Sequence, residues 1–228
     1  MKIIALLPMK GHSERVPNKN MRDFCGRPLY HAVMRNLIHS RYVSKVVINT
    51  DSEKISEDAL RFFKDKLIIH DRPERIRGDF VSMNEILGDD LGRVEGEHFL
   101  QTHSTNPLLT TASIDLAIER YFTALREGYD SLFSVTRLQT RLYDKKGIPI
   151  NHDPDELLRT QDLPPVYEEN SCLYLFSRGS FALKRRRIGG KPLMFEIPRE
   201  EAVDIDEELD FRIAESLYKL MGIAGSTV

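Results

Sequence analysis

The chain has no stretch approaching the roughly 18 consecutive apolar residues that a membrane-crossing helix needs, so no membrane partner is expected. It has only two cysteines, Cys25 and Cys172, with no CxxC spacing. They cannot build a metal site on their own. They pair only if the fold joins them, and otherwise read as buried free thiols of a reducing, cytoplasmic setting. Charge of one sign is lacking too: 33 basic residues face 35 acidic ones, a net charge of −2, so nothing marks a polyanion-binding surface and nucleic acid is not an expected partner. The run Lys184-Arg185-Arg186-Arg187 reads as a solvated helix face. Neither GxGxxG nor GxxxxGK[ST] is present, which removes the usual marks of dinucleotide binding and P-loop hydrolysis. There is no internal repeat and no low-complexity linker. The opening Met1 to Leu7 is too short for a secretion h-region, runs straight into Pro8 and charged residues, and reads as a buried strand.

What remains is an ordinary globular composition, 41% apolar and 30% charged over 228 residues, enough for one α/β domain with a substantial core. Strand-like runs at Ile3–Leu7, Val46–Asn49, Leu67–His70, Phe99–His103 and Leu132–Val135 alternate with helical periodicity over 28–39, 52–64, 82–93 and 111–126. In the last of these, Ile114, Ala117, Ile118, Tyr121 and Leu125 follow one helical face. Strand and crossover helix in succession predict a doubly wound, mostly parallel sheet covered on both faces. The stretch 137–169, with four prolines and few periodic apolar positions, predicts a projecting loop or small hairpin that is functional or docks on something. Strands at Cys172–Phe176, Lys191–Ile197 and Val203–Ile205 follow. A closing amphipathic helix carries Leu209, Ile213, Leu217 and Leu220, and Gly225-Ser226-Thr227 reads as a frayed tail.

Ligands of such sheets sit at the carboxyl ends of the strands, near the point where strand order reverses. The loop after the first strand is Pro8-Met9-Lys10-Gly11-His12-Ser13-Glu14-Arg15-Val16-Pro17-Asn18-Lys19-Asn20. One glycine lets it turn, and Lys10, Arg15 and Lys19 bring three cations into one segment, as a triphosphate requires. A merely solvated basic loop fits the composition equally. Near the other end, Asp204 and Asp206 are two apart, so on a strand both carboxylates face one side while Ile205 packs inward. They read either as hard oxygen ligands for Mg²⁺ or, for Asp206, as the cap of the last helix, and both can hold together.

The pattern Pro-x-Lys-Gly-x-Ser-x-Arg-x-Pro-x-Lys-Asn followed by Gly26-x-Pro28-Leu29 resembles the opening of the acylneuraminate cytidylyltransferases, the CMP-sialic acid and CMP-Kdo synthetase relatives. The resemblance continues through Thr50-Asp51, Arg72-Pro73, Gln101 to Pro107-Leu108, Asn170, and Val203 to Asp210, in order along nearly the whole chain. It implies a nucleotide-diphospho-sugar transferase-like fold and transfer of CMP from CTP, with Mg²⁺, to the hydroxyl of an acidic sugar, releasing pyrophosphate. It further implies Lys10, Gly11, Ser13, Asn20, Arg72 and Ser82 at the nucleotide, and Gln101, Arg159 and Asn170 at the acceptor. Lys10, Arg15, Lys19 and Asp206 would carry catalysis, with Asp204 and Asp206 at the metal. A homodimer whose 137–169 segment completes the neighbour's site is implied as well. An arginine donates to the O2 and N3 acceptors of cytosine, a physical reason for CTP. Arg72 as an ion pair with Asp71 or Glu74, and Ser82 as a helix cap, are the plainer alternatives.

The sequence departs from the family pattern in three places. Glu14 stands where a lysine is usual, and must point away from a triphosphate or pair with Arg15. The loop after the fourth strand is two residues longer, loses an arginine and gains His103, which reads as a satisfied loop histidine or a helper near the acceptor. Glu168-Glu169 stand where some members place a second, carboxylate-reading arginine, so a nonulosonic acid held by Arg159 and a different acid or an amino-bearing substrate fit equally well. Two other readings stay open on sequence alone: a metal-dependent glycosyltransferase using a sugar nucleotide, and a binding protein silenced at Glu14 and Glu168.

Overall fold

A computed structural model describes residues 1–222; the expected frayed tail at 225–227 lies outside the described residues. In chain order the elements are β1 (Ile3–Leu6), β2 (Asp23–Phe24), β3 (Arg27–Pro28), α1 (Tyr30–His39), β4 (Val43–Thr50), α2 (Glu53–Phe63), β5 (Leu67–Asp71), α3 (Met83–Arg93), β6 (His98–Gln101), α4 (Thr111–Arg126), β7 (Ser131–Leu138), β8 (Val166–Ser177), α5 (Arg178–Lys184), β9 (Pro192–Glu196) and α6 (Glu208–Leu220). Seven strands form one sheet in the order β5-β4-β1-β6-β8-β7-β9, and only β8 runs antiparallel to its neighbours. The doubly wound, mostly parallel α/β sheet expected from the alternation is therefore the observed architecture.

Both faces of the sheet are buried, which is why its central strands are continuously apolar. Ile3, Ala5 and Leu7 face a core completed by α1, α2 and α4, while Ile4 and Leu6 face a second one with Leu87 and Leu91 of α3 and Phe181 of α5. Chain order reverses between β1 and β6, and this places the loops after those two strands side by side. Polar caps start the helices where the sequence supplies them: Ser52 accepts from Ile55 N on α2, and Thr110 from Ser113 N on α4.

Three expectations need correction. Val203–Ile205 joins no strand; it is held instead by Ile205 N donating to Thr105 O at 2.9 Å, Asn106 Nδ2 donating to Val203 O at 3.5 Å and Lys19 Nζ donating to Ile205 O. The 137–169 stretch is not wholly a projection, because β7 and β8 run on into it and pair from Val135–Glu169 to Leu138–Val166. A bulge precedes that extension: Ser134 Oγ both donates to Asn170 Oδ1 (2.6 Å) and accepts from Leu173 N (2.8 Å), with Ser171 at φ 60°. Finally, α6 does not bury Leu209, Ile213 and Leu220, which are exposed. It buries Phe211, Ala214 and Tyr218 against Phe24 and Leu29 of the β2–β3 region, and Leu217 only packs at the edge. Phe24 meets Phe211 and Tyr218 edge-on at 5.6 and 5.0 Å.

Candidate active site

A cavity of about 440 Å³ opens at the carboxyl ends of β1 and β6 and is lined by Pro8, Met9, Lys10, Ser13, Glu14, Arg15, Lys19, Asn20, Arg72, His103 and Asp206 among others. That volume suits a nucleotide-sized ligand. The first loop is fixed around it by short-range chemistry. Gly11 N donates to Asp51 Oδ1 at 2.7 Å, and a Cβ at Gly11 would lie 2.8 Å from Ser52 Cβ, so only glycine fits this approach. Asn20 ties the loop from both ends of its amide: Nδ2 donates to Lys10 O (3.0 Å) and Oδ1 accepts from Ser104 Oγ (2.6 Å).

Each loop cation is already engaged by oxygen. Lys10 Nζ pairs with Asp79, whose carboxyl it holds below the usual range. Arg15 Nη2 lies 3.0 Å from Asp206 Oδ1. Lys19 Nζ donates to Ile205 O and stands 3.9 Å from Asp206 Oδ1. Burial lowers the Lys19 pKa, against the opposing pull of Asp206 and Asp204. Glu14 lines the cavity beside Asp79 and is not paired with Arg15, which meets Asp206 instead. The loop is therefore solvent-exposed but not unstructured: Gly11 and Asn20 tie its backbone, and its exposed cations Lys10 and Arg15 each meet an acid across the cleft.

Arg72 is 4% exposed and forms the floor. Its Nε donates to Asn49 Oδ1 (2.8 Å), and Nη2 donates to Asn49 O (2.8 Å) and Met9 O (3.2 Å). Asn49 Nδ2 and His70 Nδ1 both reach Asp90 Oδ1 at 2.7 Å, so a fully buried carboxylate stands behind the arginine. Burial lowers the Arg72 pKa, opposed by the charges of Asp51 and Asp90. A surface ion pair with Asp71 or Glu74 is thereby excluded; Asp71 sits near Arg77 instead, at 3.5 Å.

The two late aspartates occupy different settings. Asp204 Oδ1 is shielded from solvent and has no hydrogen-bond partner among the described residues, and burial pushes the Asp204 pKa up with Asp206 adding to the effect. Asp206 is half-exposed at the mouth. The cap of α6 is supplied by Asp210, whose Oδ2 accepts from Asp206 N (3.0 Å) and Glu207 N (2.8 Å); the Asp206 side chain is left to the cavity. An orphaned buried oxygen and a half-exposed neighbouring carboxylate are a donor set that fits Mg²⁺, which takes one or two carboxylates and keeps the rest of its shell as water and phosphate.

Other sequence-predicted positions are not brought to the cavity wall. Ser82 caps α3, accepting from Asn84 N at 3.3 Å, and lines a neighbouring groove. Arg159 is exposed on the projecting segment and bonded to Asp162 at 2.6 Å. Asn170 spends its amide on the β8 bulge, accepting from Ser134 Oγ and Cys172 N and donating to Thr136 Oγ1. Cys25 and Cys172 are unpaired, one half-buried and one in the core. Gln101 is fully buried, with Oε1 accepting from Arg187 Nη1 at 2.5 Å.

That last contact corrects the solvated reading of 184–187. Lys184, Arg185 and Arg186 are exposed, but Arg187 turns inward, its guanidinium 3.5 Å above the Tyr174 ring and its Nη1 3.3 Å from His103 Nε2. Arginine has no acceptor, so this contact makes His103 Nε2 the unprotonated nitrogen. Burial, with the charges of Arg187 and Lys19, pushes the His103 pKa down to about 4, so the ring is neutral near pH 7. Asp79, Arg187 and the Asn49–Asp90 network were missed. Asp90 carried a legible signal, an acid in register with Ile86, Leu87 and Leu91 on the apolar face of its helix.

A family model described as cytidylyltransferase matches residues 4–218. A pseudaminic acid cytidylyltransferase of Campylobacter jejuni is 24% identical over 231 residues, covering 96% of this chain and 97% of that protein. An N-acylneuraminate cytidylyltransferase A of Danio rerio is 29% identical, covering 98% of this chain but 52% of that protein. Among solved structures, a CMP:2-keto-3-deoxy-manno-octonic acid synthetase complexed with CTP superposes with a TM-score of 0.69 at 15% identity, over 97% of this chain and 100% of that one, a likeness of fold.

Proposed function

The chain belongs to the cytidylyltransferase family, and on that premise we propose that it transfers CMP from CTP to the hydroxyl of an acidic sugar, a nonulosonic or related 2-keto-3-deoxy acid, releasing pyrophosphate. The observation that carries this reading is the convergence of Lys10, Arg15, Lys19 and Arg72 on one cavity beside Asp204 and Asp206. Lys10, Arg15 and Lys19 take the triphosphate, exchanging their carboxylate partners for phosphate oxygens. Arg72 reads the cytosine edge with Nη1, the one guanidinium nitrogen group that makes no hydrogen bond among the described residues. Asp206 and the unpartnered Asp204 Oδ1 would hold Mg²⁺, whose charge would neutralise that of the phosphates. The acceptor oxygen bonds to the α-phosphorus as the bond from that phosphorus to the bridging oxygen breaks, pyrophosphate leaves, and the hydroxyl proton passes to a carboxylate of the Asp204/Asp206 pair. Most of the rate comes from positioning and charge neutralisation.

The same reading extends to assembly and location. The projecting segment exposes Tyr143, Ile148, Ile150 and Leu157, apolar surface that supports a homodimer in which it packs on a second copy. No described helix is long and apolar enough to cross a membrane, and two unpaired thiols suit a reducing cytoplasm.

The test is incubation with CTP, Mg²⁺ and a panel of 2-keto acid sugars while pyrophosphate is measured. Release that requires both CTP and an acid supports the reading. Preference for UTP or GTP, or nucleoside diphosphate freed from a sugar nucleotide, would overturn it.

A further inference from the structure

Of the two acceptor arginines that the family pattern suggests, Arg159 is exposed and bonded to Asp162, and Glu168, exposed on β8 opposite Thr136, stands where some members place the second. The fold supplies a cation from elsewhere. Arg187, on the loop between α5 and β9, lies beside the cavity residue His103 with its side chain only 18% exposed. The loop that carries it is pinned on both sides. Arg187 N donates to Asn84 Oδ1 (3.1 Å), Gly189 N to Ser131 Oγ (2.8 Å), and Gly190 N to Asp130 Oδ2 (2.6 Å).

The guanidinium is held by two of its five N–H donors, and the other three make no hydrogen bond among the described residues. One face lies on Tyr174, and Nη1 is spent on the neutral groups Gln101 Oε1 and His103 Nε2. Nε and Nη2 make no hydrogen bond among the described residues, and neither is sealed from solvent. Among the described residues, the acid that pairs with it is Glu169, which stays 3.9 Å from Nη2 and is engaged by the Tyr174 hydroxyl. The Nε–H and Nη2–H bonds are parallel, and that edge of an arginine matches the two oxygens of a carboxylate. A largely buried cation whose hydrogen bonds go only to neutral groups, and whose facing carboxylate stands 3.9 Å away, is stabilised by an anion that pairs with its Nε/Nη2 edge.

Resting on the cytidylyltransferase reading above, we propose that Arg187 is the specificity-determining residue for the acceptor: its Nε/Nη2 edge binds the carboxylate of the acidic sugar, with Tyr174 as the platform beneath. Gln101 and His103 then act as positioning residues that hold the fork, and the anion-reading role of the residue absent at 168 is taken by a residue nineteen positions later, on a different element.

The experiment compares wild type, Arg187→Met and Arg187→Lys on N-acetylneuraminate and 2-keto-3-deoxy-octonate and on the methyl ester of each, with the KM for CTP, direct CTP binding and the urea midpoint measured alongside. Wild type is expected to favour acid over ester by about a hundredfold in kcat/KM, the scale of a charge-assisted bidentate contact. Arg187→Met should lose about that factor on the acid, lose little more on the ester, and keep its KM for CTP. Arg187→Lys should recover a part of the loss. If Arg187→Met still separates acid from ester as wild type does, or if its defect lies in CTP binding, the assignment is wrong. If wild type binds CTP but neither acid nor ester yields pyrophosphate, the acceptor reading itself falls and takes this one with it, a pattern distinct from either variant result.

Discussion

Replacing Arg72 with methionine separates the two jobs the structure gives this side chain. The substitution keeps much of the volume and removes every donor. Of the three oxygens that Arg72 serves, Asn49 O also accepts from Met9 N at 2.9 Å and stays satisfied; Asn49 Oδ1 and Met9 O lose the partner they have here. Each buried acceptor left unmade costs about 1–3 kcal/mol. Asp90, fully buried, also loses the charge that offsets its own. Against this, the desolvation cost of a buried guanidinium disappears, so the net loss is on the order of 3 kcal/mol. In urea, with a slope of roughly 2–3 kcal/mol per molar, the unfolding midpoint should fall by about 1 M. Nucleotide choice is the second readout. Cytosine offers an acceptor at N3 where uracil carries a donor, so a site built on an arginine N–H should prefer CTP to UTP by about 10–100-fold, and Arg72→Met should bring that ratio close to one. Calorimetric titration of CTP and UTP into both proteins measures it. Loss of stability with an unchanged CTP/UTP ratio would refute the base-reading role and leave Arg72 as a strut of the cavity floor.

Asp79→Ala removes the carboxylate that occupies Lys10. CTP should then bind up to about fivefold more tightly at low salt, the worth of an exposed ion pair, with the gain shrinking as salt rises; unchanged or weaker binding would mean that Lys10 does not take phosphate. Gly11→Ala places a methyl 2.8 Å from Ser52 Cβ and must displace the loop. CTP affinity should drop by at least about tenfold, the cost of roughly 1.4 kcal/mol of misplacement, while the far-ultraviolet dichroism is retained. His103 titrates near 4 in the folded chain and near 6.5 when unfolded. Between these values the unfolded state binds the extra proton, so this residue's stability contribution is complete above about pH 6.5 and is lost as pH falls toward 4. The ceiling is about 3 kcal/mol, reduced by partial exposure. His103→Gln should flatten the urea-derived stability profile between pH 6.5 and 4; an unaltered slope would show that the ring is not held neutral.

The sheet and its helices were legible because burial on both faces leaves a simple record. Ile3 to Leu7 is apolar without interruption, and α4 repeats every three to four residues, so period and length identify each element. The first loop was legible for a different reason, since its three cations are local and its position after β1 fixes where it lies. What failed was whatever depends on pairing distant residues. Two apolar stripes run along α6, and periodicity cannot say which one docks: Phe211, Ala214 and Tyr218 won because the Phe24 ring of the β2–β3 hairpin and Leu29 after it were there to meet them. Val203–Ile205 has strand composition, yet it lies against the loop after β6, with Ile205 N on Thr105 O and Asn106 Nδ2 on Val203 O, and not along a strand. Arg187 was read with its three neighbours as one solvated face; they remain exposed, and it alone reaches the ring of Tyr174. Charge density along a sequence gives no hint of which member of a run turns inward.

The pairing of loop cations with carboxylates bears on the order of events. Arg15 and Asp206 share one contact at 3.0 Å, and Lys19 is close to the same carboxylate. A triphosphate that takes Arg15 and Lys19 therefore releases Asp206 at the moment when its own charge most needs a counterion. On the proposed reading, the nucleotide arrival that exposes Asp206 also creates the phosphate oxygens that would complete a Mg²⁺ shell with it and with Asp204. Metal affinity in the free protein should accordingly be weak, as long as Asp206 is held by two cations, and should rise with CTP present. The coupling is reciprocal, so Mg²⁺ should tighten CTP by the same factor that CTP tightens Mg²⁺. Arg15→Ala separates the effects: it frees Asp206 in advance, so it should raise metal affinity in the absence of nucleotide while weakening CTP. Calorimetric titrations of Mg²⁺ and of CTP, each with and without the other, close that cycle. If Arg15→Ala leaves metal affinity of the free protein unchanged, Asp206 is not the group whose release couples the two ligands.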